Sequence, residues 1–171
     1  MKDGVGARLA RAIRGLTPGY FALVMATGII SVGMRLEGVD VLSEALLVVC
    51  VISTLVLLAL TVARFVAFRG AMAEDFMDPR RAFGFFTFVA GTNVLGVRLG
   101  MEGGHAATAV LLVLSGLAWL GLGYVVPWTA VLGRQERPVV ATANGTWFIW
   151  VVASQSVAVA AASIEPAYGT M

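Results

Sequence analysis

An all-α, polytopic membrane protein is the fold class this chain predicts: five transmembrane helices arranged as hairpin repeats, with the odd-numbered helices inside. Three observations carry that expectation. Mean hydropathy is +0.90, with 59% of residues hydrophobic and 13% charged, which leaves too little polar surface for a soluble domain of 171 residues. Uncharged stretches at 15–34, 45–63, 82–97, 106–133 and 138–164 reach or approach the roughly 20 residues that a membrane helix takes. Leucine also alternates along them, with 13 in the 47 positions of the second and fourth and 3 in the 63 positions of the others. The odd stretches hold Gly, Ala, Ser, Thr and aromatic residues instead, together with Asn93 and Gln155. Lipid tails accept leucine, whereas small and polar residues gain most against other helices or water. The odd stretches therefore read as inner helices and the even ones as a lipid-facing ring.

Residues 1–16 form a basic segment in which Arg8, Arg11 and Arg14 oppose Leu9, Ile13 and Leu16. That pattern suits either a helix lying at the membrane surface or a frayed tail. The transmembrane domain follows over 17–164, and its first helix, about 16–34, opens on Thr17-Pro18, an N-cap followed by proline at the first helical position. A second helix spans about 43–66 and holds Cys50, the single cysteine, which has no partner for a disulfide. The third, about 80–99, starts after Asp78-Pro79 and is short. Its 16 uncharged residues reach about 24 Å, less than the roughly 30 Å hydrocarbon core. With Thr87, Thr92, Asn93 and three glycines in that stretch, it suits surroundings of protein better than lipid. The fourth, about 106–132, has 28 uncharged residues in its stretch and must tilt, bend or leave the membrane, with Pro127 expected to kink it. A fifth helix over about 142–164 has Thr142 and Asn144 as candidate caps, and residues 165–171 are an extracytoplasmic tail or a truncation point.

The basic residues sort by side. Lys2, Arg8, Arg11, Arg14, Arg64, Arg69, Arg80, Arg81, Arg134 and Arg137 fall on one side of the alternating helices, and only Arg35 and Arg98 on the other. By the positive-inside rule the N-terminus is cytoplasmic and the protein a multi-pass resident of the cell membrane, plasma or inner. The pI of 9.1 accordingly points to the lipid bilayer as partner, and not to nucleic acid.

An internal repeat links the odd helices. "GYFALVMATGIISV" begins at Gly19, "GFFTFVAGTNVLGV" at Gly84 and "GTWFIWVVASQSV" at Gly145, spaced by 65 and 61 residues. Each copy has a glycine, an aromatic pair, and a small or polar cluster about two turns later, as duplicated hairpins would give. On this reading Thr27, Gly28, Ser31, Thr92, Asn93, Gly96, Ser154 and Gln155 line a neutral pathway at similar depths. The same residues also suit helix packing, with hydroxyls bonded to their own helix. Tyr20, Phe21, Phe85, Phe86, Trp147 and Phe148 could constrict a pore but read by default as an interfacial aromatic belt. Arg35 and Arg98 sit at the outer ends of the first and third helices, where two cations would either draw anions to the mouth or simply snorkel to the interface.

Absences narrow the chemistry further. None of the five stretches contains Asp, Glu, Lys, Arg or His, and the lone histidine, His105, falls in an outer loop. Proton-coupled carriers usually keep an intramembrane acid or histidine. No catalytic residue, metal ligand set or cofactor is expected, and the reading is a passive conductor or a scaffold, not an enzyme.

"LTPGYFALVMATGIISVG" (16–33), "DPRRAFGFFTFVAGTNVLG" (78–96) and "NGTWFIWVVASQSVAV" (144–159) resemble the bacterial tellurite-resistance and dicarboxylate transporter family, of the slow anion channel superfamily. The resemblance covers most of 16–164. It implies a ten-helix fold of five hairpins around a quasi-five-fold axis, with odd helices lining an uncharged pore. Such proteins form trimers with one pore per subunit and pass small anions, and some are linked to dicarboxylates or tellurite resistance. Five helices correspond to the N-terminal half of that fold. The family's gating phenylalanine lies on the ninth helix, so no residue here inherits its role, although Gly28 matches a small residue able to accommodate such a ring. The rival expectation is a truncated, non-conducting membrane subunit that acts in assembly.

Overall fold

The computed structural model describes residues 4–132 and 143–164, apart from the side chains at 130 and 131. Lys2, Arg134, Arg137, Thr142 and the tail 165–171 lie outside the described residues. Seven α-helices run in the order α1 (Val5–Arg14), α2 (Ala22–Leu36), α3 (Asp40–Ala67), α4 (Arg69–Met77), α5 (Phe86–Gly100), α6 (His105–Val126) and α7 (Ile149–Ala162). Among the described residues, five segments are long and apolar enough to cross a membrane: Pro18–Leu36, Asp40–Ala67, Ala82–Gly100, His105–Thr129 and Gly145–Ala162. The protein is an all-α polytopic membrane protein, and α1 and α4 are short additions at one end.

The three repeat copies fold alike. Each odd span begins with a tight 3-10 turn, at Pro18–Phe21, Ala82–Phe85 and Gly145–Phe148, and then widens into the α-helix. Thr17 stands at the first N-cap with Pro18 behind it, but its side chain makes no capping bond. Asn144 does cap, its Oδ1 accepting from the Thr146 N–H at 2.9 Å. Asp78 likewise accepts from the Arg80 N–H at 2.9 Å ahead of the second turn.

Neighbouring turns are also bonded to each other. Thr87 Oγ1 donates to the Pro18 carbonyl at 3.0 Å, and Trp147 Nε1 donates to the Pro79 carbonyl at 3.0 Å. Gly84 makes the first of these contacts possible, because a Cβ there would lie 3.1 Å from the Gly19 nitrogen. These glycines serve close approach of backbone to backbone.

Packing is uneven among the spans. In the third, 72% of the most apolar stretch is buried, against 22% or less in each of the others. The helix read as too short and polar to face lipid is thus the one enclosed by protein. It contacts α2, α6 and α7, while α3 packs chiefly on α2. Helices α2, α5 and α7 form one row, with α3 and α6 behind it. Pro127 stands at the end of α6, where the chain changes into a wider π turn over Pro127–Leu132. Proline has no N–H for the α-helical bond and crowds the preceding turn, which favours the change of pitch.

The aromatic residues are not a uniform belt. Phe21 and Phe86 are buried, whereas Tyr20 and Phe148 are exposed. Phe21 packs edge-on against Phe88, and Phe83 against Trp147, with ring centres 5.2 and 4.9 Å apart.

Charged residues enter the spans near their ends, where they are paired. Arg64, in the last turn of α3, is buried with Asp75 of α4, Nη1 to Oδ2 at 2.6 Å. Its Nε and Nη2 donate to the carbonyls of Arg14 and Ala71, and Arg81 reaches the other Asp75 oxygen at 3.0 Å. At the opposite end, Arg98 of α5 is fully buried. It donates to Ser31 Oγ at 3.0 Å, to Ser43 Oγ at 3.0 and 3.2 Å, and to Glu102 at 2.8 Å.

Candidate pore-lining groove

A groove of about 280 Å³ runs along the row of odd helices. Met25, Ile29 and Val32 of α2 line it, with Ala90, Asn93, Val94 and Val97 of α5 and Val152, Gln155, Ser156 and Val159 of α7. Neither α3 nor α6 contributes a lining residue, and no ionisable side chain is among those that do. The surface is apolar with a polar patch at Asn93, Gln155 and Ser156. Such a wall offers an ion few specific contacts, so residence on it is short.

Asn93 organises the patch. Its Nδ2 donates to Ser156 Oγ of α7 at 3.0 Å, and its Oδ1 accepts from Ser115 Oγ of α6. One amide thereby joins three helices at 1% exposure. Replacing it by leucine should cost about 1–2 kcal/mol, since interhelical bonds in membranes average about 0.6 and reach about 1.7 kcal/mol each. Denaturant unfolding of Asn93→Leu in bicelles measures this, and unchanged stability would count against the amide as a cross-link. Gln155, by contrast, is exposed in the groove.

Six of the eight expected lining residues are absent from the groove wall. Thr27 Oγ1 is bonded within its own helix to the carbonyl of Leu23 at 2.8 Å. Gly28 is wedged between helices, because a Cβ there would meet Val94 at 2.7 Å and Cys50 at 3.3 Å. Ser31 and Ser43 exchange bonds with each other's carbonyl, at 2.7 and 2.6 Å, and share Arg98. Gly96 accepts from Thr108 Oγ1 at 2.7 Å, and Thr92 is buried. Ser154 accepts from Trp119 Nε1 at 3.0 Å on the α6 side. These are packing positions, where small or hydroxyl-bearing residues let helices approach.

Arg35 and Arg98 differ from the expectation as well. Arg98 is enclosed by helices, and Arg35 pairs with Asp40 and, at 3.3 Å, with Glu102. Segments 35–44 and 98–105 at that end hold four carboxylates against two arginines. Segments 4–17 and 64–81, at the other end, hold seven arginines against three carboxylates. The positive potential belongs to the end that carries the N-terminus.

Ile29 and Ser156 were hidden from the sequence reading by register. Counted from the last residue of each 3-10 turn, Phe21, Phe85 and Phe148, the eighth residue is Ile29, Asn93 and Ser156. All three line the groove.

Comparison with known proteins gives one match. A family model described as voltage-dependent anion channel matches residues 15–170. No curated protein and no solved structure matches the chain.

Proposed function

Because the chain belongs to the voltage-dependent anion channel family, we propose that its groove is a wall of an anion path, contributed as the N-terminal half of a channel or transporter for small anions or dicarboxylates. The observation that carries this reading is the lining: three odd helices, no even one, and no charge. A neutral wall suits conduction, where an ion must leave as readily as it enters. The arginine excess at the N-terminal end would concentrate anions there, and the same excess supports a cytoplasmic N-terminus. Assembly into a homo-oligomer, a trimer by resemblance, belongs to the same proposal. Exposed Phe148, Val151 and Val159 on the last span favour a second reading, in which this subunit assembles with another chain without conducting.

Substituted-cysteine accessibility in membranes tests the proposal. In a Cys50→Ser background, Ile29→Cys, Val152→Cys and Gln155→Cys should react with a small anionic methanethiosulfonate, and chloride or a dicarboxylate should slow the reaction. Leu55→Cys and Leu117→Cys, on the leucine-rich faces, should stay unreactive. The set also reports orientation, with His105→Cys labelled from outside whole cells and Gly70→Cys not. Unreactive groove cysteines would leave the non-conducting reading in place.

A further inference from the structure

Behind the groove, on the face that carries α3 and α6, lies a second cavity of about 440 Å³. Leu58 and Phe65 of α3 and Ala118 and Leu122 of α6 line it, and Arg64 borders it at the basic end. Leu58 and Phe65 are themselves exposed, so the cavity opens outward between the two helices. That opening faces the same way as the leucine-rich surfaces, toward hydrocarbon. Apolar cavities stay dry, and in a bilayer acyl chains are apolar material that such an opening would meet. From Arg64 to Leu58 it extends about 9 Å along α3, a depth within one leaflet.

The rim supplies charge of one sign. The Arg69 guanidinium stacks 5.4 Å from the ring centre of Phe65. Arg14, whose carbonyl accepts from Arg64 Nε at 3.1 Å, stands two residues before Leu16 on the rim. Arg14 and Arg69 are both exposed, and the surrounding segments carry the seven-to-three excess of arginine over carboxylate. We propose that this cleft binds an anionic phospholipid of the leaflet at the basic end, one acyl chain filling the cavity and the phosphate held between Arg14 and Arg69. The inference rests on the membrane spans and is independent of the anion path.

Photolabelling in proteoliposomes tests it. The full chain is reconstituted in phosphatidylcholine with a trace of diazirine-tailed phosphatidylglycerol or, separately, diazirine-tailed phosphatidylcholine. Labelled peptides are mapped by mass spectrometry. Labelling at 58–65 and 118–122 is normalised to that at 110–114, an exposed part of α6 outside the cavity. Phosphatidylglycerol should be favoured about twenty-fivefold, at about fivefold for each of the two arginines near the surface. Arg14→Gln with Arg69→Gln should bring the ratio close to one. Gly121→Phe, where a Cβ meets nothing within 4 Å, should place a ring in the cavity and lower labelling there by both lipids at least tenfold. Equal labelling by the two lipids would overturn the charge recognition, and labelling unchanged by Gly121→Phe would overturn the cavity itself.

Discussion

Asp75→Ala is expected to destabilise the protein by about 3–5 kcal/mol, the usual cost of leaving one partner of a buried ion pair uncompensated. The carboxylate and Arg64 are 4% and 3% exposed, so neither charge can turn to water without moving a helix. Arg81 touches the same carboxylate but is more exposed and can be solvated. Losing Asp75 therefore strands Arg64 with two carbonyls, and α4 has less reason to stay against α3. The double replacement Arg64→Met with Asp75→Leu should recover most of the loss, because a buried pair exchanged for apolar residues is often neutral. Unfolding of the two single variants and the double in lipid gives the coupling between the sites. A single variant as stable as the parent would mean that the pair is no anchor.

The second large effect concerns the groove. Gln155→Glu should reverse its preference between ions while leaving the fold intact, since residue 155 is exposed there. One carboxylate acts on a unit charge with about 2 kcal/mol at 8 Å and an effective dielectric near 20. The anionic thiol reagent should then reach Ile29→Cys about thirtyfold more slowly and a cationic one about thirtyfold faster, a change of about a thousandfold in their ratio. The effect requires the ionised carboxyl and should vanish when that group is protonated at low pH. Gln155→Leu should leave the ratio unchanged. If Gln155→Glu also leaves it unchanged, residue 155 does not share an aqueous space with residue 29.

Much of the fold was readable because it depends on properties that lie along the chain. Hydropathy and leucine content located the spans, and the polarity of Thr92 and Asn93 marked the third as the helix to be enclosed. The repeat, too, was visible, but its alignment was anchored on the wrong atom. Glycine is second in Pro18–Phe21, third in Ala82–Phe85 and first in Gly145–Phe148, so matching the glycines shifts the copies by one or two residues. Each residue turns an α-helix by about 100°, enough to carry Thr27 from groove to packing surface. Gly84 serves close approach at its turn, whereas a Cβ at Gly145 would meet nothing within 4 Å, so the glycines have neither one role nor a fixed place in the helical register.

Residues whose role depends on distant partners were not readable in this way. Arg98 looked like an end-of-helix cation because Ser31 and Ser43, which receive it, lie 67 and 55 residues away in sequence. Arg64 hides among the basic residues of its side until α4 brings Asp75 against it. Charge counts locate a membrane face, but they do not distinguish a solvated arginine from a buried one. Asn93 lies on the groove wall, yet its amide joins helices, whereas Gln155 is exposed there.

The bonds between the 3-10 turns have a polarity. Thr87 of the second repeat donates to the first, and Trp147 of the third donates to the segment leading into the second. A contact whose donor and acceptor surfaces differ is heterologous, and units joined head to tail through such contacts rotate by a fixed step about a common axis. Whether the series closes or spirals depends on the size of that step. The donors lie at the N-terminal ends of the odd helices, with Gly84 allowing the close approach, and neither is a leucine that meets lipid. These joints between the repeats are thus made by residues other than those of the outer coat, so that coat can drift in sequence with the bilayer it occupies without disturbing them.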